Sequence, residues 1–192
     1  MPLKSSEVRV AGTGELFLAP VTAALKLPTS ASAPLDPTFK GYGYTSEDGV
    51  VLSKSVEREG IPAWQSSTPV RYLVTGQELT VQTTFLQSNE DILKLWLGSG
   101  DFATDGATGT PPGYRADVPV DPVGQQFALV LEWRDASIVS RLTIPRVEVT
   151  ETGDVSLARA ATAFPVTFGA IAPDSGTVLA SWLTTDPAFA PA

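Results

Sequence analysis

The chain has no cysteine and no histidine among its 192 residues. That excludes disulfide cross-links, Cys/His zinc sites and every catalytic triad that uses histidine as its base. Basic residues are scarce, 13 against 21 acidic ones, for a net charge of −8. They are scattered, and no window joins a basic run to interleaved aromatics. This excludes the phosphate-neutralising surface that tight nucleic-acid binding requires. Long hydrophobic runs are missing too. The longest mainly apolar stretch, Leu16 to Leu25, falls short of the roughly 20 residues that cross a bilayer. The N-terminus, Met1 to Arg9, is polar and lacks the apolar core of a signal peptide, so a cytosolic chain without a membrane anchor is expected.

What is present suits a folded β protein. Hydrophobic residues make up 43% and charged residues 18%, inside the globular range and far from the disordered one. Sixteen glycines and sixteen prolines are spread among many Val, Thr and Leu residues, which predicts short strands joined by frequent turns. The length fits one well-buried core, taken as a single domain over 1–185 with an N-terminal arm (1–7) and a flexible C-terminal tail (186–192).

Alternation places the strands. Val8 to Val10 and Glu15 to Ala19 suggest a first hairpin or a bent strand, with Gly12 and Gly14 at the turn. Leu27 to Pro37, with three prolines, is expected to be an extended segment. Val50, Leu52 and Val56 alternate with Ser53, Ser55 and Glu57, as in a half-buried strand. Gly60 to Pro69 contains two more prolines and suggests a loop around Trp64. The clearest strand is Leu79 to Gln87, with Leu79, Val81 and Phe85 on one face and Glu78, Thr80, Gln82 and Thr84 on the other. A second, Gln125 to Asp135, turns Phe127, Leu129, Leu131 and Trp133 inward and Gln126, Glu132 and Arg134 outward. Ala136-Ser137 connects it to Ile138–Thr150, where a phase flip at Pro145-Arg146 predicts a bulge or an edge-strand break. Val155 to Phe168 and Val178 to Leu183 complete eight to ten strands. One helix interrupts them, with Ser88 as N-cap, Asp91 at N3, the stripe Ile92, Leu95, Trp96, and Gly98 as its left-handed stop. The fold class is mainly β, a sandwich or barrel with one short flanking helix and long loops.

No motif carries catalysis or a cofactor. Gly12-Thr13-Gly14 and Gly98-Ser99-Gly100 lack the Lys-Ser/Thr of a phosphate loop. Asp101, Asp105 and Gly106 lack the spacing of a calcium loop. The carboxylate pairs Glu57/Glu59, Glu47/Asp48 and Glu148/Glu151 sit close in sequence at turns and strand ends, where solvated acids are common. No catalytic, cofactor-binding or metal-binding residue is assigned. Trp96 and Trp133 lie on apolar stripes and suit the core. Trp64, between Pro62 and Pro69, suits either the core or the anchor of a protein–protein contact.

An ordered set of segments resembles the major tail tube proteins of long-tailed (siphovirus-type) actinobacterial phages. The set comprises Gly43 to Val50, then Gly60-Ile61-Pro62-Ala63-Trp64-Gln65-Ser66-Ser67-Thr68-Pro69-Val70-Arg71 running into Thr75 and Glu78 to Val81. Asn89 to Leu95, Ile144 to Thr150 and Ala163 to Phe168 follow, so the likeness covers most of Glu7 to Pro173. The resemblance implies a two-sheet sandwich with a flanking helix, assembled into hexameric rings that stack as a tube. The tube would enclose the tape measure protein, meet tail terminator and distal tail proteins at its ends, and pass DNA without binding it specifically. The chain would reside in the virion tail after assembly in host cytoplasm. Segment 57–71 is then expected to be a stacking loop making inter-ring contacts through Trp64, Pro62, Pro69 and Arg71. Glu78, Thr80, Gln82, Thr84, Gln126 and Glu132 are expected to face the lumen. Two other functions fit a β-sandwich: carbohydrate binding at Trp64 and the Gly98–Gly113 loop, and hydrolysis by one of the carboxylate pairs.

Overall fold

The computed structural model describes residues 3–106, 111–121, 124–174 and 176–190. Among these residues ten strands and one α-helix form in chain order: β1 Thr13–Pro20, β2 Lys40–Gly41, β3 Thr45–Ala63, β4 Ser66–Phe85, α1 Glu90–Leu97, β5 Ala103–Thr104, β6 Tyr114–Arg115, β7 Gln126–Asp135, β8 Ile138–Thr152, β9 Phe164–Ala170 and β10 Ser181–Thr184. Eight strands make one antiparallel sheet in the order β2-β1-β7-β8-β9-β4-β3, with β10 also on β8, and β5-β6 form a small ribbon. The mainly β class with one helix is as expected, and the sheet does not close into a barrel.

The sandwich arises because β8 serves two layers. Ser140–Thr143 pair with β10, whereas Val147–Thr152 pair with β9. Between these halves, Leu129 pairs with Ile144 and Phe127 with Val147, so Pro145 and Arg146 together oppose Ala128. This is the bulge predicted from the phase flip, and it lets the strand change layers. One layer is β2-β1-β7-β8-β10; the other is β8-β9-β4-β3. Their facing sides share one core: Leu16 and Leu18, Val81 and Phe85, Leu129 and Leu131, Leu142, Ile144 and Val147, Phe164, Val166 and Phe168. Leu79 and Phe127 pack against its margin.

Helix α1 plugs the core with Ile92 and Leu95. Its N-cap is Asn89 rather than Ser88: the Asn89 side chain accepts from Ile92 N at 2.9 Å, one residue later than the spacing suggested. Gly98 stops the helix at φ 60. Trp96 Nε1 donates to the Gly153 carbonyl at 2.9 Å, and its ring meets Phe164 edge to face.

Strand β7 is buried on both faces. Ala128 and Val130 turn away from the main core into a second cluster with Ala19 and Phe39, joined by Phe17, Leu25, Leu27 and Leu35. The extended segment 21–39 therefore lies as a strap across the outside of β1 and β7. Two local expectations change. Of the hairpin and the bent strand open for residues 8–19, the hairpin is not formed; Gly12 N donates to the Arg134 carbonyl at the entry to β1. Segment 57–71 is not a loop but the far end of the β3–β4 hairpin, whose strands run 19 and 20 residues. In the C-terminal tail, Asp186 is buried and receives two hydrogen bonds from Arg9 (2.6 and 2.7 Å), whose guanidinium holds its carboxyl below the ordinary range. Positions 107–110 of the Gly98–Gly113 loop, and 1–2 and 191–192 at the termini, lie outside the described residues.

Candidate functional site

The chemistry available is that of surfaces, and two of them stand out. The first is the side of the β8-β9-β4-β3 layer turned away from the core. Glu78, Thr80, Gln82 and Thr84 of β4 share it, and register sets Ser55, Ser53 and Val51 of β3 beside the first three. On the other flank Gly169, Thr167 and Pro165 of β9 oppose Thr80, Gln82 and Thr84. Glu148 of β8 follows beside Gly169, and Gln126 of β7 beside Glu148. The result is a mainly polar face of hydroxyls, amides and carboxylates, interrupted by Val51, Pro165 and Gly169. The neighbouring cation, Arg146, is tied down: its Nε donates to Gln126 Oε1 at 2.7 Å, and it pairs with Asp174.

Glu132 stands apart from this face. It lies on the outer side of β7 beneath the strap and is only 9% exposed. Arg141 Nε reaches its Oε2 at 2.7 Å, and Arg134 Nη2 reaches its Oε1 at 2.8 Å. Burial pushes the Glu132 carboxyl up, but the two guanidinium groups outweigh it and hold the group below its ordinary value. Arg141 also donates to the carbonyls of Ser30 and Ala33, so this buried pair pins the strap to the sheet. The sequence places Gln126 and Glu132 in one outward phase of β7, and the structure separates them because the strap covers only the second.

The second surface is the hairpin arm. Among the described residues, β4 has a third-strand neighbour, β9, only from Thr80 onward. Beyond Ser55 and Glu78 the hairpin is a free two-stranded ribbon, about 30 Å long at ~3.3 Å per residue. Its apolar residues lie open: Ile61, Val70, Tyr72, Leu73 and Val74 are all exposed, and Trp64 at the tip is 99% exposed. Register pairs Tyr72 with Gly60 and Val74 with Arg58 on one face, and Leu73 with Glu59 and Arg71 with Ile61 on the other. Pro69 folds over Gly60; a Cβ there would stand 2.7 Å from Pro69 Cγ. Pro62 and Pro69 lie inside the register shift between the pairs Ile61–Arg71 and Ala63–Ser66, where missing N–H donors cost no ladder bond. Trp64, Pro62, Pro69 and Arg71 thus sit together on the outer half of the arm, all exposed.

The sequence profile of a family described as phage tail tube protein matches residues 1–192, the whole chain. The chain belongs to the phage tail tube protein family. No curated protein matches it. Membership makes this tail tube protein a structural component of the virion tail and implies self-assembly into a tube. The carboxylate pairs form no shared site. Glu57 and Glu59 lie on the exposed arm and Glu47 and Asp48 on exposed β3, while Glu148 is half-buried on the polar face and Glu151 exposed near the end of β8. Among the described residues no cluster of three acidic side chains stands ready for a metal ion, and no helix is long and apolar enough to cross a membrane.

Proposed function

We propose that this tail tube protein assembles into hexameric rings whose stacking is driven by the β3–β4 arm and whose lumen is lined by the polar face of β4. The observation that carries the reading is the arm itself. A two-stranded ribbon is marginal in water, and this one exposes five large apolar residues besides Trp64 along its outer part. Such a ribbon gains stability by lying against another subunit, and the family's tube supplies identical ones. Ring number six, and an origin among siphovirus-type actinobacterial phages, rest on the sequence resemblance. The partners follow from the same source: tape measure protein inside, tail terminator and distal tail proteins at the ends, DNA in transit, and assembly in host cytoplasm.

The lumen assignment covers Glu78, Thr80, Gln82, Thr84 and Gln126. A net negative chain with a hydroxyl- and amide-rich channel face offers phosphates nothing to hold. No catalytic step is part of this function, and no cofactor is required.

Because the chain has no cysteine, introduced thiols report location directly. Gln82→Cys should react with a polymeric maleimide too large to enter the tube while the protein is free, and should be protected once tubes form. Val120→Cys, at a position 96% exposed on the 98–125 excursion, should stay reactive in both states. Equal labelling of Gln82→Cys in tubes and in free chains would refute the lumen assignment. A chain that never forms tubes at any concentration, alone or with initiator and tape measure proteins, would refute the assembly reading.

A further inference from the structure

The arm ends in a fully exposed tryptophan, and the same chain carries an apolar groove sized for one aromatic side chain. The groove encloses about 290 Å³ where the two layers part at one end. That is below the range of drug-sized ligand sites, which begin near ~300 Å³. Val50 and Leu52 of β3 form one wall, and Leu131, Trp133 and Trp182 form the other. Trp133 and Trp182 meet edge to face at 4.6 Å, and Trp182 is still 54% exposed, which leaves ring surface for a third aromatic.

The chain's own Trp64 cannot reach this groove. Leu52 and Trp64 lie twelve positions apart along one strand and its turn, a separation of about 40 Å. We propose that Trp64 of one copy seats in this groove of a second copy, between Leu52 and Trp182. The proposal rests on the arm as the stacking element and adds its receptor. A tip that fits a groove elsewhere on the next copy makes a heterologous contact, and such contacts propagate as filaments unless a rotation closes them. The offset between copies along the tube is then bounded by the strand, at about 40 Å.

Paired cysteines test the contact. Gln65→Cys at the tip combined with Ala11→Cys, exposed on the groove lining, is expected to yield a ladder of disulfide-linked oligomers from assembled tubes. Either single variant should give dimers at most. Leu52→Glu, at a residue 37% exposed, is expected to raise the concentration needed for assembly about thirtyfold, as loss of an interface anchor does, while Leu52→Ala, which introduces no charge, should raise it less and keep the free chain folded by circular dichroism. Tubes that form without the ladder and tolerate Leu52→Glu, while Trp64→Ala abolishes them, would overturn the groove and leave the arm as the stacking element. Normal tubes from Trp64→Ala would overturn both. A ladder of equal strength from Gln65→Cys with Val120→Cys would show random collision and overturn the groove.

Discussion

Trp64→Ala separates stacking from folding, because the free chain gives this side chain nothing to stabilise. At 99% exposure, truncation removes no intrachain packing, so the melting temperature of the unassembled protein should stay where it is. Docking changes the arithmetic. An aromatic ring buries on the order of 200 Å², which at ~25 cal/mol/Å² corresponds to about 5 kcal/mol of transfer free energy. Ordering of the arm and imperfectly matched polar groups consume part of that, leaving the ~2 kcal/mol or more typical of interface anchors. A loss of about 2 kcal/mol at each stacking contact is roughly thirtyfold in its equilibrium constant. Since elongation repeats one contact, the concentration at which tubes appear should rise by about the same factor. Sedimentation and negative-stain imaging across a concentration series measure that threshold, and calorimetry checks the fold. An unchanged threshold would refute the anchoring argument. A lowered melting temperature with tubes intact would show instead that Trp64 packs within its own subunit.

Three further outcomes follow from the body of the fold. Arg141→Leu leaves Glu132 with Arg134 alone and strips the Ser30 and Ala33 carbonyls of their donor; about 3 kcal/mol should be lost, read in calorimetry as a drop of roughly 6–12 °C. The carboxyl of Glu132 is held below its ordinary value of 4.5 by its guanidinium partners despite burial. Its stabilisation should therefore be complete above that value and fade as pH falls through the lower folded one, so wild type and Glu132→Gln should differ at pH 7 and converge in acid. Ala136 holds φ 52 in the β7–β8 turn, so Ala136→Gly should raise stability by about 1 kcal/mol in denaturant titrations.

The parts of the fold legible in the sequence were those where neighbours along the chain dictate the outcome. Leu79, Val81 and Phe85 against Thr80, Gln82 and Thr84 give a period of two that survives folding unchanged. The Pro145-Arg146 flip becomes a bulge because two residues must oppose one. What escaped was set by distance. Arg141 reaches Ser30 and Ala33 across more than a hundred residues, and no local pattern announces it. One signal was available: Ala128 and Val130 complete an unbroken apolar run from Phe127 to Leu131, the mark of a strand covered on both faces. Read that way, the run requires a covering element, and the apolar residues of 21–39 can supply it. Segment 57–71 misleads for the opposite reason. Gly60, Pro62 and Pro69 resemble loop residues, yet a ribbon with two free edges has spare places for prolines.

Those free edges also bear on how an arm so apolar avoids indiscriminate pairing. An exposed strand edge is a template for unwanted pairing, and charges, prolines and bulges are the usual deterrents. The arm carries all three: Glu57, Arg58, Glu59 and Arg71 along its length, Pro62 and Pro69 near its tip, and register shifts after Glu57 and after Ile61. The prolines and register shifts break up the edges, where backbone would meet backbone, and the charges share the faces with the apolar side chains. Edge-to-edge association is thereby discouraged while side-chain docking of Tyr72, Leu73, Val74 and Trp64 remains open. A surface built that way favours a contact of fixed geometry over indiscriminate sheet growth, which is what distinguishes a tube from an aggregate.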